Sequence, residues 1–435
     1  MKINFKIEYD LDLKDCNLDS IICLFSKLMP MILVDLFNIV LLSFADEFMA
    51  QDEKPFCCED CGNTSWFIWK TRHGKPTTLQ TIYGKMKINQ LQVQCKRCSK
   101  KRFITRHILG LQRRVRTSSR TQKMLALIGS LTPFRVSEKI SGMFGVKLGR
   151  MTVWRCVQKE AESMEFGLDP DELPAGEADG TGIPTVGVKK RGRELKVFVQ
   201  KKKGGGIRVA ALGIGNYDSG WEKLFKPLLS QFEWFHQFLL VTDGDTSILK
   251  GLGKKVRVIY QRCLWHIPHQ LKYCLWQDKV AHKSDEWVKV ICKSIQICTV
   301  KYVPTCDILL AALVNDKRQQ LQDLIDHCIE NEYKRCATYL LNAAPDMFKA
   351  IENKLQGKTT SLVERVMRIV NFRINVGKWS EKGALNVNKI RLGYYYNGYD
   401  VEPFDDSGIV IEQKVNYSQS KGLTKRYELR ENSDE

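Results

Sequence analysis

A chain of 435 residues and 50.1 kDa is too long for one ordinary domain and has room for about two to four. Apolar residues at 43% and charged residues at 27% exclude a disordered chain, while 68 Lys and Arg against 49 Asp and Glu leave a formal charge of +19. That excess points to a polyanionic partner, nucleic acid or an anionic membrane surface, and 15 cysteines, an odd number scattered along the chain, exclude a secreted disulfide scaffold.

Residues 1–50 are apolar-rich and predicted helical. Leu28 to Ala45 is the one candidate for a membrane span, but Pro30, Asp35 and Asn38 break the run of about 18 apolar residues that a span requires. The stretch lies too deep, behind too acidic a start, for a secretory signal. It reads as an amphipathic or buried helix for packing or self-association, a plain core helix before anything else. A soluble, cytoplasmic protein is the expectation.

From Pro55 to about Arg102 the composition shifts to Cys, Gly, Thr and β-type runs, TSWFIWK and MKINQLQVQC, with turns expected at Gly74-Lys75-Pro76 and Tyr83-Gly84-Lys85. Cys58-x-x-Cys61 and Cys95-x-x-Cys98 form two knuckles within it. Each supplies two thiolates from one side, and together they close a tetrahedral, structural Zn²⁺ site with no open position. Cys57 leaves one ligand ambiguous; the spacing favours Cys58. A redox pair is the alternative, but Lys96, Arg97, Lys100, Lys101 and Arg102 beside the knuckles fit a DNA-facing zinc ribbon better.

Between Cys95 and Arg120 there are ten basic residues and no acid, among them Arg113, Arg114 and Arg116. A solvated face normally intersperses acids; a single-sign run repels itself unless phosphates neutralise it. TQKMLALIGSL, PFRVSEKISGMFG and GRMTVWRCVQKEAE then give helix, helix, turn and helix, the order of a helix-turn-helix. Thr152 is expected to cap or open the last helix, with Arg150, Trp154 and Arg155 facing groove or phosphates. Any three-helix cluster gives a similar pattern.

GLDPDELPAG (167–176) reads as a linker or domain entry. Beyond it ELKVFVQ, IRVAALGIG, FLLVTD and VRVIY have the character of strands, with helical segments between them, which predicts a mixed α/β fold. Lys201, Lys202 and Lys203, in the turn KKKGGG, suit a DNA phosphate track or a solvated hairpin tip, as do Lys189, Lys190, Arg191 and Arg193 on the same hairpin. From Trp265 to Leu355 the pattern is almost wholly helical, and residues 401–435 read as a loosely ordered tail. Trp379 packs or stacks a base, packing being the first choice.

Three carboxylates stand out. Asp179 lies in GEADGTGIP and Asp243 in LLVTDGD, both where a strand opens at the sheet edge, although Asp-Gly is also a common turn pair. Glu364 sits one residue off the apolar stripe Val363, Val366, Met367, Val370 and Ile374, with Arg368 four residues on. A surface ion pair accounts for it blandly. Alternatively the helix packs on the sheet and aims Glu364 at the aspartates. Three such acids would hold two Mg²⁺ or Mn²⁺ ions about 4 Å apart for in-line phosphoryl displacement. Asp245 and Glu177 each lie two residues from a proposed acid and are rivals for its place.

ADGTGIP, VTDGD after an apolar strand, YQRCLWHIPHQLK and TTSLVERVMRIVNFRI together resemble the DDE transposases of bacterial and archaeal insertion sequences, nearest the Mutator-like supergroup. The resemblance covers about residues 55–395. It implies an RNase H-like catalytic fold with Asp179, Asp243 and Glu364 as the metal-binding triad. It also implies that Cys263-x-x-His266 is the supergroup's signature after the fifth strand, supporting the active site or engaging DNA ends. The implied organisation is an N-terminal helical segment (1–50), a zinc ribbon (51–110), a helix-turn-helix (111–166), a core in two parts (172–264 and 358–400), a helical insertion (265–357) and a tail (401–435). The implied activity is recognition of terminal inverted repeats, phosphodiester cleavage and joining of 3′-OH ends to target DNA, by a homodimer or larger assembly in a prokaryotic cytoplasm, associated with the nucleoid. A retired transposase acting as a DNA-binding regulator, or an RNase H-like nuclease that does not join ends, are the alternatives.

Overall fold

The computed structural model describes residues 17–111, 115–187, 193–217, 219–253, 256–355 and 357–401. Helix α1 (Leu18–Ala50) is capped by Asn17, whose side chain accepts from the Ser20 N–H at 2.8 Å. Among the described residues it is the one helix long and apolar enough to cross a membrane. The expectation of a plain core helix is corrected here, because only Leu41 and Ala45 are buried. The second half of α1 lies on a small sheet, where Asn38 donates to the Lys87 carbonyl at 3.0 Å and accepts from the Asn89 N–H at 2.8 Å. The first half exposes Leu18, Ile22, Phe25 and Met29.

That sheet is antiparallel, in the order β1 (Phe67–Thr81), β2 (Gly84–Cys95) and β3 (Lys101–Phe103). The turn expected at Gly74-Lys75-Pro76 does not form. The residues stay within β1 as an irregular stretch whose register slips on both sides of Gly74. A Cβ there would sit 2.5 Å from the Gln90 carbonyl oxygen, so the close crossing of the strands requires glycine.

After the short α2 (Thr105–Ile108) come α3 (Ser119–Leu131), α4 (Phe134–Met143) and α5 (Arg150–Glu162). Thr152 does not open α5. The helix starts from Gly149, and the Glu138 carboxylate accepts from the Arg150 N–H at 3.1 Å. These helices have no core of their own: Leu125, Val153 and Val157 share one cluster with the large sheet and with two later helices.

The large sheet has the order β6-β5-β4-β7-β8, built from β4 (Ala175–Gly182), β5 (Glu194–Lys201), β6 (Ile207–Gly215), β7 (Phe238–Thr242) and β8 (Val258–Arg262). β4, β5 and β6 pair antiparallel; β4, β7 and β8 run parallel. The fold is thus mixed α/β around a mixed sheet, as the alternation of patterns predicts. One face is covered by α6 (Trp221–Phe225), α7 (Leu229–Phe232) and α8 (Thr246–Leu252), through Phe225, Phe232 and Ile248 packed on Phe198 and Phe238. The segment read as a linker is pinned instead: Gln231 accepts from the Leu168 N–H at 2.7 Å and Gln200 from the Asp169 N–H at 2.8 Å.

A helical unit follows β8, formed by α9 (His266–Gln277), α10 (Asp285–Cys298), α11 (Asp307–Glu330), α12 (Lys334–Ala343) and α13 (Lys349–Glu352). It encloses its own core, with Leu271, Val290, Leu324 and Leu340 inside. The chain then returns to the open face of the sheet as α14 (Ser361–Ile374) and α15 (Glu381–Tyr396). From these helices two buried arginines reach the end of α3: Arg373 donates to the Gly129 carbonyl at 3.2 Å, and Arg391 to those of Ser130 and Leu131 at 3.3 and 3.2 Å. They satisfy carbonyls that the helix leaves without partners, and they fasten α3 to the sheet layer.

Gly129 is where α3 meets α5, and a Cβ there would lie 2.8 Å from Val153 and 3.0 Å from Val157. Gly129→Ala is predicted to destabilise the fold by about 1–3 kcal/mol through overpacking. Gly142→Ala, where a Cβ meets open space, is predicted to cost nothing; urea unfolding of the two variants measures the difference.

Candidate active site and metal centre

Strand side chains alternate, so Glu177, Asp179 and Thr181 share one side of β4. The two outer residues are tied to α14. The Glu177 carboxylate accepts from the Leu362 and Val363 N–H groups, each at 2.8 Å, and the Thr181 hydroxyl donates to Asn371 at 3.0 Å. Free N–H groups at a helix start favour a carboxylate. Glu177 is therefore a clamp rather than a rival for the place of Asp179. Burial pushes its carboxyl up to about 7, against the pull of those two N–H groups.

Between the two ties stands Asp179, half-buried, accepting from the Gly180 N–H at 2.7 Å. Burial first, then the charges of Asp243 and Glu364, raise its carboxyl to about 7. The three acids named from sequence therefore lie within electrostatic reach of one another, brought from β4, from the end of β7 and from the first turn of α14. They are not closed around a point. Among the described residues, the only group of three or more His, Cys, Asp or Glu ligands within 4.8 Å of one another is the cysteine quartet.

Asp243 and Asp245 take different roles. Asp245 caps α8, accepting from the Ser247 N–H at 2.8 Å and pairing with its hydroxyl at 2.7 Å, which occupies both carboxylate oxygens. Asp243 accepts from the Asp245 N–H at 3.0 Å through one oxygen. Gly244 between them has φ of 112°, and a Cβ there would strike the Arg262 guanidinium at 2.3 Å. The turn needs glycine on both counts.

Cys263 and His266 are a packed pair at the start of α14. The Cys263 sulfur accepts from the Thr360 N–H at 3.2 Å and its hydroxyl at 3.3 Å. His266 meets the same hydroxyl with Nδ1 at 3.3 Å and Glu364 with Nε2 at 3.2 Å. Burial would lower the imidazole pKa. The bond to Cys263 and the charges of Cys263, Asp243 and Glu364 outweigh it and raise the value to about 9. The pair thus holds Glu364 in place through a cationic ring.

Glu194 is a fourth carboxylate that the sequence reasoning passed over. It overhangs Gly180, where a Cβ would lie 2.4 Å from its carboxyl carbon. Its pKa is raised by burial, with Lys196 opposing and Asp245 and Asp243 adding. Lys196, wholly buried, pairs with it at 2.6 Å, donates to the Tyr217 carbonyl at 3.1 Å and lies 4.6 Å over the Trp221 ring. The signal was a lysine inside the buried run ELKVFVQ.

The structure does not bring Lys201, Lys202 and Lys203 to these acids. Gly182 pairs with Glu194 and Gly176 with Gln200, so the lysine turn belongs to the opposite edge of the sheet. Asp179 is level with Val197, so Lys201 lies about 14 Å away along β5. Lys202 there donates to the Tyr396 carbonyl at 3.5 Å. Arg116, Arg150, Trp154 and Arg155 are exposed. Arg113 and Arg114 lie outside the described residues, as do Lys189, Lys190 and Arg191. Trp379 is buried, with its N–H donated to the Ile374 carbonyl at 2.9 Å, and stacks no base.

The cysteine quartet gathers where the hairpin β1–β2 opens. Cys58 and Cys98 approach to 3.4 Å, Cys61 and Cys95 to 3.7 Å, and Asn63 donates to the Cys95 sulfur at 3.3 Å. Gly62, with φ of 66°, turns the first knuckle. Backbone N–H groups aimed at the sulfurs lower the thiol pKa of Cys58, and they bring Cys95 to about 6 against the effect of burial. Burial and the neighbouring sulfurs outweigh the backbone N–H groups at Cys61, which is raised, and at Cys98, which is pushed up to about 12. The four convergent soft donors can hold a metal ion such as zinc. Cys57 is exposed and stands outside the group. Compared with known proteins, the chain matches no family model and no curated sequence.

Purified protein is predicted to carry one zinc per chain by elemental analysis, lost in Cys95→Ser and retained in Cys57→Ser. In metal-free buffer the His266 resonance is predicted to titrate near 9 and to fall further in Cys263→Ala than in Glu364→Gln, because the bond to Cys263 and its charge do most to raise it. Folding favours the charged ring, so its contribution to stability is complete below pH 6.5 and is lost as pH rises through about 9.

Proposed function

We propose that this protein is a DNA transposase of the DDE type, with an RNase H-like core and a zinc-ribbon and helix-turn-helix head that reads the ends of its own element. The observation that carries the reading is that Asp243 and Glu364 lie within electrostatic reach of Asp179, at the end of the parallel pair β4–β7. The strand order with one antiparallel half, and the helical unit placed between β8 and α14, fit the same reading.

Carboxylate oxygens on a polyphosphate substrate suit Mg²⁺ or Mn²⁺. Bound by Asp179, Asp243 and Glu364, such ions would supply Lewis acidity to the phosphate being displaced. The rest is done by the chain. Glu177 and Thr181 hold α14 against β4, and Cys263 and Thr360 hold its first turn. His266 orients one Glu364 oxygen and leaves the other free. With its pKa raised to about 7, the Asp179 carboxyl is divided between its two forms near neutrality, and a bound cation would favour the charged one. Exposed Arg150 and Arg155 on α5 would meet phosphates and bases, α5 being the recognition helix of the α3–α5 unit. DNA ends must be paired to be joined, which calls for two or more protomers.

The test is Mg²⁺-dependent cleavage and strand transfer on end-bearing duplex DNA. Asp179→Ala, Asp243→Ala and Glu364→Ala are each expected to reduce both steps by roughly a thousandfold or more. Asp245→Ala is expected to stay within about tenfold of the parent while losing about 1 kcal/mol of stability as a missing helix cap. No cleavage by the parent protein would leave a DNA-binding regulator, full activity in all three variants would overturn the triad, and cleavage without joining would leave a nuclease.

A further inference from the structure

Helix α9 buries Ile267, Leu271, Cys274 and Leu275 in the helical unit. Its other side carries Trp265, just before the helix, and then His269, Tyr273 and Trp276, at steps of four, four and three residues. That spacing is a single stripe. The stripe is open: Trp265 is 54% exposed, Tyr273 55% and Trp276 68%. Its rings are grouped, with centroids 4.1 Å apart for Trp265 and His269 and 5.5 Å for Tyr273 and Trp276, at interplanar angles of 38° and 32°. The exposed residues around them are Gln270, Lys272 and Gln277, with no carboxylate. The same helical unit surfaces α11 quite differently, with Asp307, Asp316, Asp323, Asp326 and Glu330 outward.

The stripe starts at the candidate active site. Trp265 lines a cleft of about 270 Å³ together with Thr360, Ser361, Glu364 and Arg368. We infer that α9 is a stacking platform for the unpaired bases of a single DNA strand leaving that cleft. The inference rests on the proposed reading of the site as one acting on DNA. Duplex DNA keeps its base faces covered by neighbouring bases, so a row of open rings can take only bases that have left the stack. Lys272, with no exposed carboxylate on α9 itself, favours the accompanying phosphates there. From Trp265 to Trp276 the row is about 16 Å long, room for several bases.

Binding of a labelled oligothymidine, and of a duplex of equal length, is measured by fluorescence anisotropy with full-length, zinc-loaded protein in buffer without Mg²⁺ or chelator. Tyr273→Ala and Trp276→Ala are each expected to weaken single-strand binding by about fivefold to a hundredfold and duplex binding by less than about twofold. Trp276→Phe keeps a ring and is expected to retain most of the affinity. Unchanged single-strand affinity in correctly folded alanine variants overturns the inference, and so does an equal loss on both DNAs. Loss of a dimer with single-strand affinity unchanged assigns the stripe to self-association and overturns it too. Since no cleavage is read, the outcome separates from that of the site: an inactive Asp179→Ala beside an idle stripe removes only the platform, and an active Asp179→Ala removes only the catalytic reading.

Discussion

Everything at the candidate site depends on one buried carboxylate. Glu177 receives the first N–H groups of α14 and fixes where that helix begins over β4. Because the tie is to backbone, it sets the height and rotation of the helix whatever side chains follow. Glu364, in the first turn, and Asp179, two residues along the strand, inherit their relation from it. Thr181 repeats the tie further along, which prevents the helix from pivoting. A buried acid is costly unless partnered, and here the partners are the groups that a helix start must satisfy anyway.

A second layer acts on Glu364 itself. Cys263 and His266 come from the end of β8 and the start of α9, so the helical unit is joined to the site through two side chains and a threonine. Behind Asp243, the Arg262 guanidinium fills the space under Gly244. Behind Asp179, Glu194 and Lys196 form a buried pair. Burial first, and then the charges of Asp243 and Glu364, appear in the raised pKa of Asp179.

Much of this was legible in the sequence, for definite reasons. Two Cys-x-x-Cys turns leave little choice of partner, and the quartet gathers with Cys58 rather than Cys57. Asp179 was picked beside the glycines of GEADGTGIP, Asp243 after the apolar run of LLVTDGD and Glu364 one residue off an apolar stripe. What stayed hidden depended on long-range register. Glu177 looked like a spare acid because its partners are N–H groups 185 and 186 residues away. The lysine turn read as a phosphate track or a solvated hairpin tip, and antiparallel pairing puts it at the end of the sheet away from Asp179. The proline-rich stretch at 167–176 looked like a linker or domain entry because two glutamines that hold its backbone come from other elements. The apolar run of α1 suggested a core helix, whereas only two of its residues are buried.

The arginines at the end of α3 have a mechanical consequence. Arg373 and Arg391 bind the last turn of α3 to the layer that also carries Glu364. If α5 reads a DNA sequence while the carboxylates cut it, no slack separates reader and blade. The molecule would then act as a ruler, with the number of base pairs from recognised motif to broken bond written into the protein rather than tolerated within a range.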